Sequence, residues 1–215
     1  AAEQIELARY AEFLLPGFAP VCARLLAQAD KLRMIQKWGI GIDSIDLDAV
    51  RKKGVALSIT AGSNAGPVAE LAIALMLAVY RRIPYVNRAM REGRWPTPEM
   101  RETCFQITGK TVGLVGFGNI GRMLARRLQG FDAQVIYCDT VPADAQTEQA
   151  LGVRCAPLSE VLSSSDIVSL HAPLTAQTRR MVNAESIARM KDGAVLINTS
   201  RGGLVDETAL YEALV

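Results

Sequence analysis

Apolar and polar residues along this chain fall into two series of short apolar runs separated by amphipathic stretches. In the first series, Phe13-Leu14-Leu15 is an apolar run ended by Pro16-Gly17, and Pro20 is placed to open a helix reaching about Ala29. Leu32 to Lys37 reads as a strand, Asp46 caps a helix that Gly54 stops, and Val55 to Ile59 reads as the next strand. The second series predicts strands at 111–116, 134–138, 167–171 and 194–199, with helices at 120–129, about 158–163, 184–191 and from 206 onward. Between the two series, 60-TAGSNAGP-67 is a loop by composition, and Pro67 opens a helix with an apolar run from Leu71 to Tyr80. Residues 83–108 are polar and irregular, with Pro84, Pro96 and Pro98, and read as a helix followed by an extended arm. Strands alternating with helices predict an α/β fold, with parallel sheets covered on both faces. The boundary between the two series falls near Asn64.

Composition narrows the function classes. The chain has 215 residues, enough to bury a core; half are hydrophobic, and the net charge is only +2 with no run of lysine and arginine. Nucleic acid and membrane surfaces therefore gain no electrostatic support as partners. The ten-residue apolar run is too short to span a bilayer, and AAEQIELARYAEF shows no basic segment ahead of an apolar one, so no signal peptide is expected. Cys22, Cys104, Cys138 and Cys155 form no C-x-x-C pair, and the single histidine has no ligand spacing. Neither a metal site nor a disulfide framework is expected, which fits a reducing compartment such as the cytoplasm.

The first chemical signal is 111-TVGLVGFGNIGRMLARRLQG-130, which carries G-x-G-x-x-G at Gly116, Gly118 and Gly121. It follows an apolar strand and opens a helix with apolar positions at Ile120, Leu124 and Leu128. Gly116 makes the tight turn, Gly118 leaves room for a pyrophosphate to approach the backbone, and Gly121 lets helix and strand pack closely. The helix start then holds phosphate charge. The next strand ends in Asp139, 18 residues past Gly121 (139 − 121), close to the spacing of an acid that binds ribose hydroxyls. Asp139 would repel a 2′-phosphate, and Thr140-Val141 offers no cation to receive one, so NAD is favoured over NADP.

His171 ends the third strand of this series, in 167-IVSLHAPLT-175. A strand-end histidine can serve as a general base. In a doubly wound sheet, however, strand ends near the switch point border the nucleotide without any catalysis, and this second role is preferred. The fourth strand delivers Arg201 into the glycine-rich turn of 198-NTSRGGLVDE-207, where a planar, five-donor cation suits a carboxylate or carbonyl oxygen.

The order GxGxxG, strand-end Asp, LHAPLT, NTSRGGLVDE resembles the D-isomer-specific 2-hydroxyacid dehydrogenases. The stretches 31-KLRMIQKWGIGIDSIDLDA-49 and 64-NAGPVAELAIALMLAVYRR-82 match as well, so the resemblance covers nearly the whole chain. It implies a flavodoxin-like β/α substrate domain, partial at residues 1–64, and a Rossmann-type NAD-binding domain at 65–215. Carried over by position, Asn119 and Ile120 offer backbone N–H groups to the pyrophosphate, and Asp139 holds the adenosine ribose. His171, Ala172 and Pro173 lie by the nucleotide. Thr199, Ser200 and Arg201 sit near the nicotinamide, and Arg201 also polarises the substrate carbonyl. Gly39, Ile40 and Gly41 would offer N–H groups to the substrate carboxylate, with Asn64 nearby.

The resemblance implies hydride transfer between NAD(H) and a small D-2-hydroxy acid or 2-oxo acid. The family's catalytic histidine and its carboxylate come from segments beyond the RGG turn, and its opening strand and helix precede the first residue here. The sequence therefore reads as an incomplete copy, expected to be inactive alone. An NAD(H)-sensing interaction module without catalysis is the rival reading. An alanine-dehydrogenase-like Rossmann enzyme is a third, against which the NTSRGG turn argues. A homodimer is expected through residues 67–108, whose long apolar helix and arm with Trp95, Pro96 and Phe105 exceed what a dinucleotide core needs.

Overall fold

The computed structural model describes residues 2–215. The chain divides into two compact units, the first ending at Asn64 and the second beginning at Ala65.

The first unit runs α1 (Ala2–Ala8), β1 (Phe13–Leu14), α2 (Ala23–Gln28), β2 (Met34–Lys37), α3 (Leu47–Lys53) and β3 (Ala56–Ile59). Its three strands are parallel in the order β1-β2-β3, with Leu14 opposite Ile35 and Ile35 opposite Leu57. Val21, Leu25, Leu26, Ile35 and Val50 form its core. Helix α3 is fixed at both ends by its own sequence. The Asp46 carboxylate accepts from the Ala49 N–H at 2.9 Å, and Gly54 closes the helix with a left-handed φ of 72°.

The second unit begins with three helices, α4 (Ala65–Tyr80), α5 (Ile83–Arg91) and α6 (Thr97–Thr103). Then come β4 (Thr111–Val115), α7 (Asn119–Leu128), β5 (Gln134–Cys138), α8 (Ala145–Leu151), β6 (Val153–Cys155) and α9 (Leu158–Ser164). The series closes with β7 (Ile167–Leu170), α10 (Ala184–Ala188), β8 (Val195–Asn198) and α11 (Glu207–Leu214). All five strands are parallel in the order β6-β5-β4-β7-β8. The chain builds outward from β4 to one side, then returns to lay β7 on the other. The carboxyl ends of β4 and β7 are therefore the topological switch point of a doubly wound sheet.

Strands β4 and β7 are buried on both faces, which explains why they are mostly apolar and do not alternate. Val112, Leu114 and Ile167 face a core shared with α4 and α7. Val115, Val168 and Leu170 face a second core with α9. Gly113, on this second face, admits α9 closely: a Cβ there would stand 2.8 Å from Val161 Cγ1 and closer still to Ser165 Oγ.

The structure departs from the sequence expectations in several places. Helix α1 was not expected, and α2 begins at Ala23 and not at Pro20. Residues 83–108 are not a helix plus an extended arm but hold two helices, α5 and α6. Pro84 and Pro98 lie in their first turns, where proline starts a helix instead of breaking it. Pro67 does not open its helix, which begins two residues earlier at Ala65. The α8–β6 pair is an additional β/α step. Among the described residues no helix is long and apolar enough to cross a membrane, and no cluster of His, Cys, Asp and Glu is placed to hold a metal.

Gly113→Ala is expected to destabilise the protein by about 1–3 kcal/mol through overpacking against α9. Gly113→Val should cost more. The urea midpoint of unfolding checks both; an unchanged midpoint for the alanine variant would mean that α9 moves aside freely.

Candidate functional site

Gly116 turns the chain from β4 into the loop with φ 98°, and its missing Cβ is a steric requirement as well. A side chain there would stand 2.7 Å from the backbone of His171 and Ala172, which leave the end of β7. Gly121 is equally constrained, since a Cβ on it would meet the Gly116 carbonyl at 2.5 Å. Gly118 differs. It caps α7, is exposed, and an added Cβ would meet nothing within 4 Å. Open space thus lies over the backbone at the start of α7, where Asn119 and Ile120 present first-turn N–H groups of a ten-residue helix.

Asp139, one residue past β5, is tied into this loop. One carboxylate oxygen accepts from the Phe117 N–H at 2.6 Å; the other accepts from the Val141 N–H at 3.1 Å and the Thr140 hydroxyl at 3.2 Å. Burial works against its charge, but these hydrogen bonds outweigh it and hold the pKa below the ordinary 3.8. Three bonds leave acceptor capacity on the carboxylate for a diol.

Phe117, which the glycine pattern alone did not single out, anchors the loop from beneath. It is buried and stacks on Tyr137 of β5, ring centroids 3.9 Å apart. Tyr137 donates to Glu148 at 2.7 Å and accepts from the Ala143 N–H at 2.8 Å. The Arg122 guanidinium lies 5.6 Å from the Phe117 ring centre, and its Nε donates to the Phe117 carbonyl at 3.1 Å. The legible signal was an aromatic residue inside G-x-G facing another on the next strand. Cys138, beside Asp139, is no nucleophile, because burial pushes its thiol up to about 11.

On the far side of the switch point, His171 and Thr199 each lie one residue beyond the paired Leu170 and Asn198 of β7 and β8. His171 Nε2 is 2.9 Å from Ser169 Oγ, while His171 Nδ1 and Thr199 Oγ1 are buried without a hydrogen-bond partner. Burial lowers the His171 pKa from 6.5 to about 4, so the ring is neutral at pH 7. Ala172 is buried and Pro173 exposed. Ser200 ties the next turn down, its hydroxyl donating to the Leu170 carbonyl at 2.8 Å. Arg201 is half-buried in extended conformation, its guanidinium donating to the Ser200 carbonyl at 2.9 Å, and Asn198 Nδ2 donates to the Arg201 carbonyl at 2.9 Å. The second unit thus brings the glycine loop, Asp139, His171, Ala172, Thr199, Ser200 and Arg201 to one edge of one sheet. Ile40, Gly41 and Asn64 belong to the first unit, where the 39–41 loop follows β2.

Open space above Gly118, a carboxylate with spare acceptors and two orphaned buried polar atoms fit a dinucleotide bound across the switch point. Residues 73–215 match the family model described as D-isomer specific 2-hydroxyacid dehydrogenase, NAD binding domain. The chain belongs to the D-isomer-specific 2-hydroxyacid dehydrogenase family, and its cofactor is NAD. It is 42% identical over 195 residues to a hydroxypyruvate reductase of Thermotoga maritima, covering 91% of this chain and 62% of the relative. The fold superposes on a Granulicella formate dehydrogenase with TM-score 0.91 at 30% identity, covering 97% of this chain and 57% of that one. It also matches an NAD-dependent formate dehydrogenase from Staphylococcus aureus in complex with NAD, with TM-score 0.87 at 29% identity, covering 99% and 64%. The chain therefore spans about three fifths of each of these proteins.

Because the unfolded chain takes up a proton on this histidine below about pH 6.5 and the folded one refuses it until about pH 4, stability falls as pH drops through that window. The full effect is on the order of 3 kcal/mol. Asp139, Asp144 and Asp166 are all held below 3.8 and stay ionised above pH 4.5, so they add little there. Urea midpoints at pH 7.5 and 4.5 should differ clearly in the wild type and much less in His171→Gln. Equal slopes in both would mean that His171 titrates normally.

Proposed function

We propose that this chain carries the NAD-binding half, and part of the substrate half, of an oxidoreductase. The reaction is hydride transfer between NAD(H) and a small D-2-hydroxy acid or its 2-oxo acid. The observation that supports this reading best is the glycine loop held by Asp139 at the same sheet edge as the Arg201 turn. When bound, NAD(H) supplies the hydride chemistry at its nicotinamide.

The chain's own residues bind, orient and polarise. The N–H groups at Asn119 and Ile120 receive the pyrophosphate beside Gly116, Gly118 and Gly121. Asp139 accepts from the adenosine ribose and disfavours a 2′-phosphate by like-charge repulsion. His171, Ala172 and Pro173 border the nucleotide, and Thr199 and Ser200 lie with Arg201 near the nicotinamide end. Arg201 grips the substrate carboxylate and carbonyl oxygen, stabilising negative charge as an alkoxide develops. The N–H groups of Ile40 and Gly41 bind the carboxylate, with Asn64 nearby. His171 is a neutral binding ring, not the proton donor, since it stays deprotonated far below neutral pH.

A homodimer through residues 67–108 belongs to the same proposal, and to the rival one of a dinucleotide-sensing dimerisation module. Helix α4 exposes Leu71, Leu75 and Val79 at four-residue spacing, and Ile83 follows at the start of α5. A stripe of that kind on a surface helix points to a protein partner. Arg127 of α7 pairs with Glu70 of α4 at 3.0 Å, which joins this helix to the dinucleotide helix.

Titration by energy transfer to bound nicotinamide should show NADH binding more tightly than NADPH, with the preference narrowing in Asp139→Ala. Equal or tighter NADPH binding by the wild type would refute the ribose assignment. Sedimentation velocity at micromolar concentration should give a dimer that Leu75→Glu with Val79→Glu converts to monomer. A monomeric wild type would refute the interface.

A further inference from the structure

Asp139 and Arg122 hold opposite ends of one residue. Asp139 accepts from the Phe117 N–H at 2.6 Å, and Arg122 Nε donates to the Phe117 carbonyl at 3.1 Å. Arg122 stands one turn above Gly118, its own N–H donating to the Gly118 carbonyl at 3.0 Å. Its guanidinium lies 5.6 Å from the centre of the Phe117 ring, the same ring that stacks on Tyr137. An anion and a cation therefore flank the Phe117 backbone within the glycine loop, next to the open space above Gly118.

The cation is available. Arg122 is exposed, and among the described residues no carboxylate forms an ion pair with it. The bond to Phe117 uses Nε and leaves over the donors on both terminal nitrogens. The charge also reaches the segment that follows Asp139. Asp144 is held below its ordinary 3.8 by hydrogen bonds from Thr147 and, to a lesser degree, by the Arg122 charge. That segment brings no cation of its own, since 139-DTVPADAQTE-148 holds neither lysine nor arginine.

We propose that Arg122 is a second determinant of cofactor choice, a docking point for a phosphate on the adenosine ribose that opposes the exclusion by Asp139. The inference rests on the proposed placement of the ribose at Asp139. NAD needs only the carboxylate, whose spare lone pairs accept from the ribose diol. A 2′-phosphate meets Asp139 as a like charge and the terminal nitrogens of Arg122 as charge-assisted donors. NAD stays preferred, because three hydrogen bonds fix the carboxylate while one tethers the exposed guanidinium, which solvent screens. Discrimination against NADP is thereby graded, and the cation that grades it comes from helix α7 instead of from the loop after β5.

The test is a double-mutant cycle on dinucleotide affinity, read by titrating the chain with NADH and NADPH. Arg122→Gln keeps a donor for the Phe117 carbonyl and removes the charge. It should weaken NADPH by about tenfold, the scale of one charge-assisted hydrogen bond, and NADH by much less. Arg122→Lys, which restores the charge, should recover most of the loss, and raised salt should shrink the difference between the two variants. In Asp139→Ala the NADPH affinity should rise, and adding Arg122→Gln should remove that rise. NADH binding by each variant reports that the loop still folds. Equal loss of both nucleotides in Arg122→Gln and Arg122→Lys, NADPH affinity indifferent to Arg122, or NADPH too weak to measure even in Asp139→Ala overturns the inference and leaves the dinucleotide site standing. Absence of NADH binding by the wild type overturns that site and the inference with it.

Discussion

The second unit depends on one close approach, that of Gly116 to the backbone leaving β7. Two parallel strands separated in sequence by a whole pair of β/α steps are brought so near at their ends that no side chain fits between them. That contact needs the left-handed φ of Gly116 and the absence of a Cβ, and it fixes the glycine loop against the strand end that carries His171. The Asp139 carboxylate completes the arrangement by pulling the Phe117 N–H toward β5. Three strand ends are thereby joined before any ligand arrives.

Contacts within the protein hold the loop's form from beneath. The Phe117–Tyr137 stack fills the space beneath it, and the Tyr137 hydroxyl is satisfied twice, by Glu148 and by Ala143. Arg122 returns from the first turn of α7 to the Phe117 carbonyl. Among the described residues, the buried side-chain polar atoms left without a partner are His171 Nδ1 and Thr199 Oγ1, in residues that directly follow the paired ends of β7 and β8. Orphaned polar atoms are costly, and their concentration at one sheet edge is the arrangement expected of a site that finds its partners in a ligand.

Much of this was legible in the sequence, and for stateable reasons. β4 and β7 are buried on both faces and so read as mostly apolar runs without alternation. The glycine loop, Asp139 and the Arg201 turn each announce a strand end. The losses were equally physical. β6 has three residues, one of them the exposed Arg154, too few for any period to register, and α8 is a polar helix recognisable mainly by its Asp144 cap. Prolines at 84, 96 and 98 suggested irregularity, whereas two of them occupy helix first turns. Within the site, the role of Ser169 was hidden because a serine–histidine contact is a tertiary fact. The 39–41 loop was visible as a motif, but the hydrogen bond from the buried Lys37 ammonium group to the Gly17 carbonyl was not.

The buried imidazole of His171 has a consequence for the cell's changing acidity. A histidine titrating near its ordinary 6.5 would switch the sheet edge between neutral and cationic over the range in which cytosolic and organellar pH varies, and the attraction for a doubly anionic pyrophosphate would vary with it. Held at about 4, His171 contributes no charge anywhere in that range. Burial thus keeps the charge at this position constant through metabolic acidification, using a residue type that elsewhere serves as the sensor.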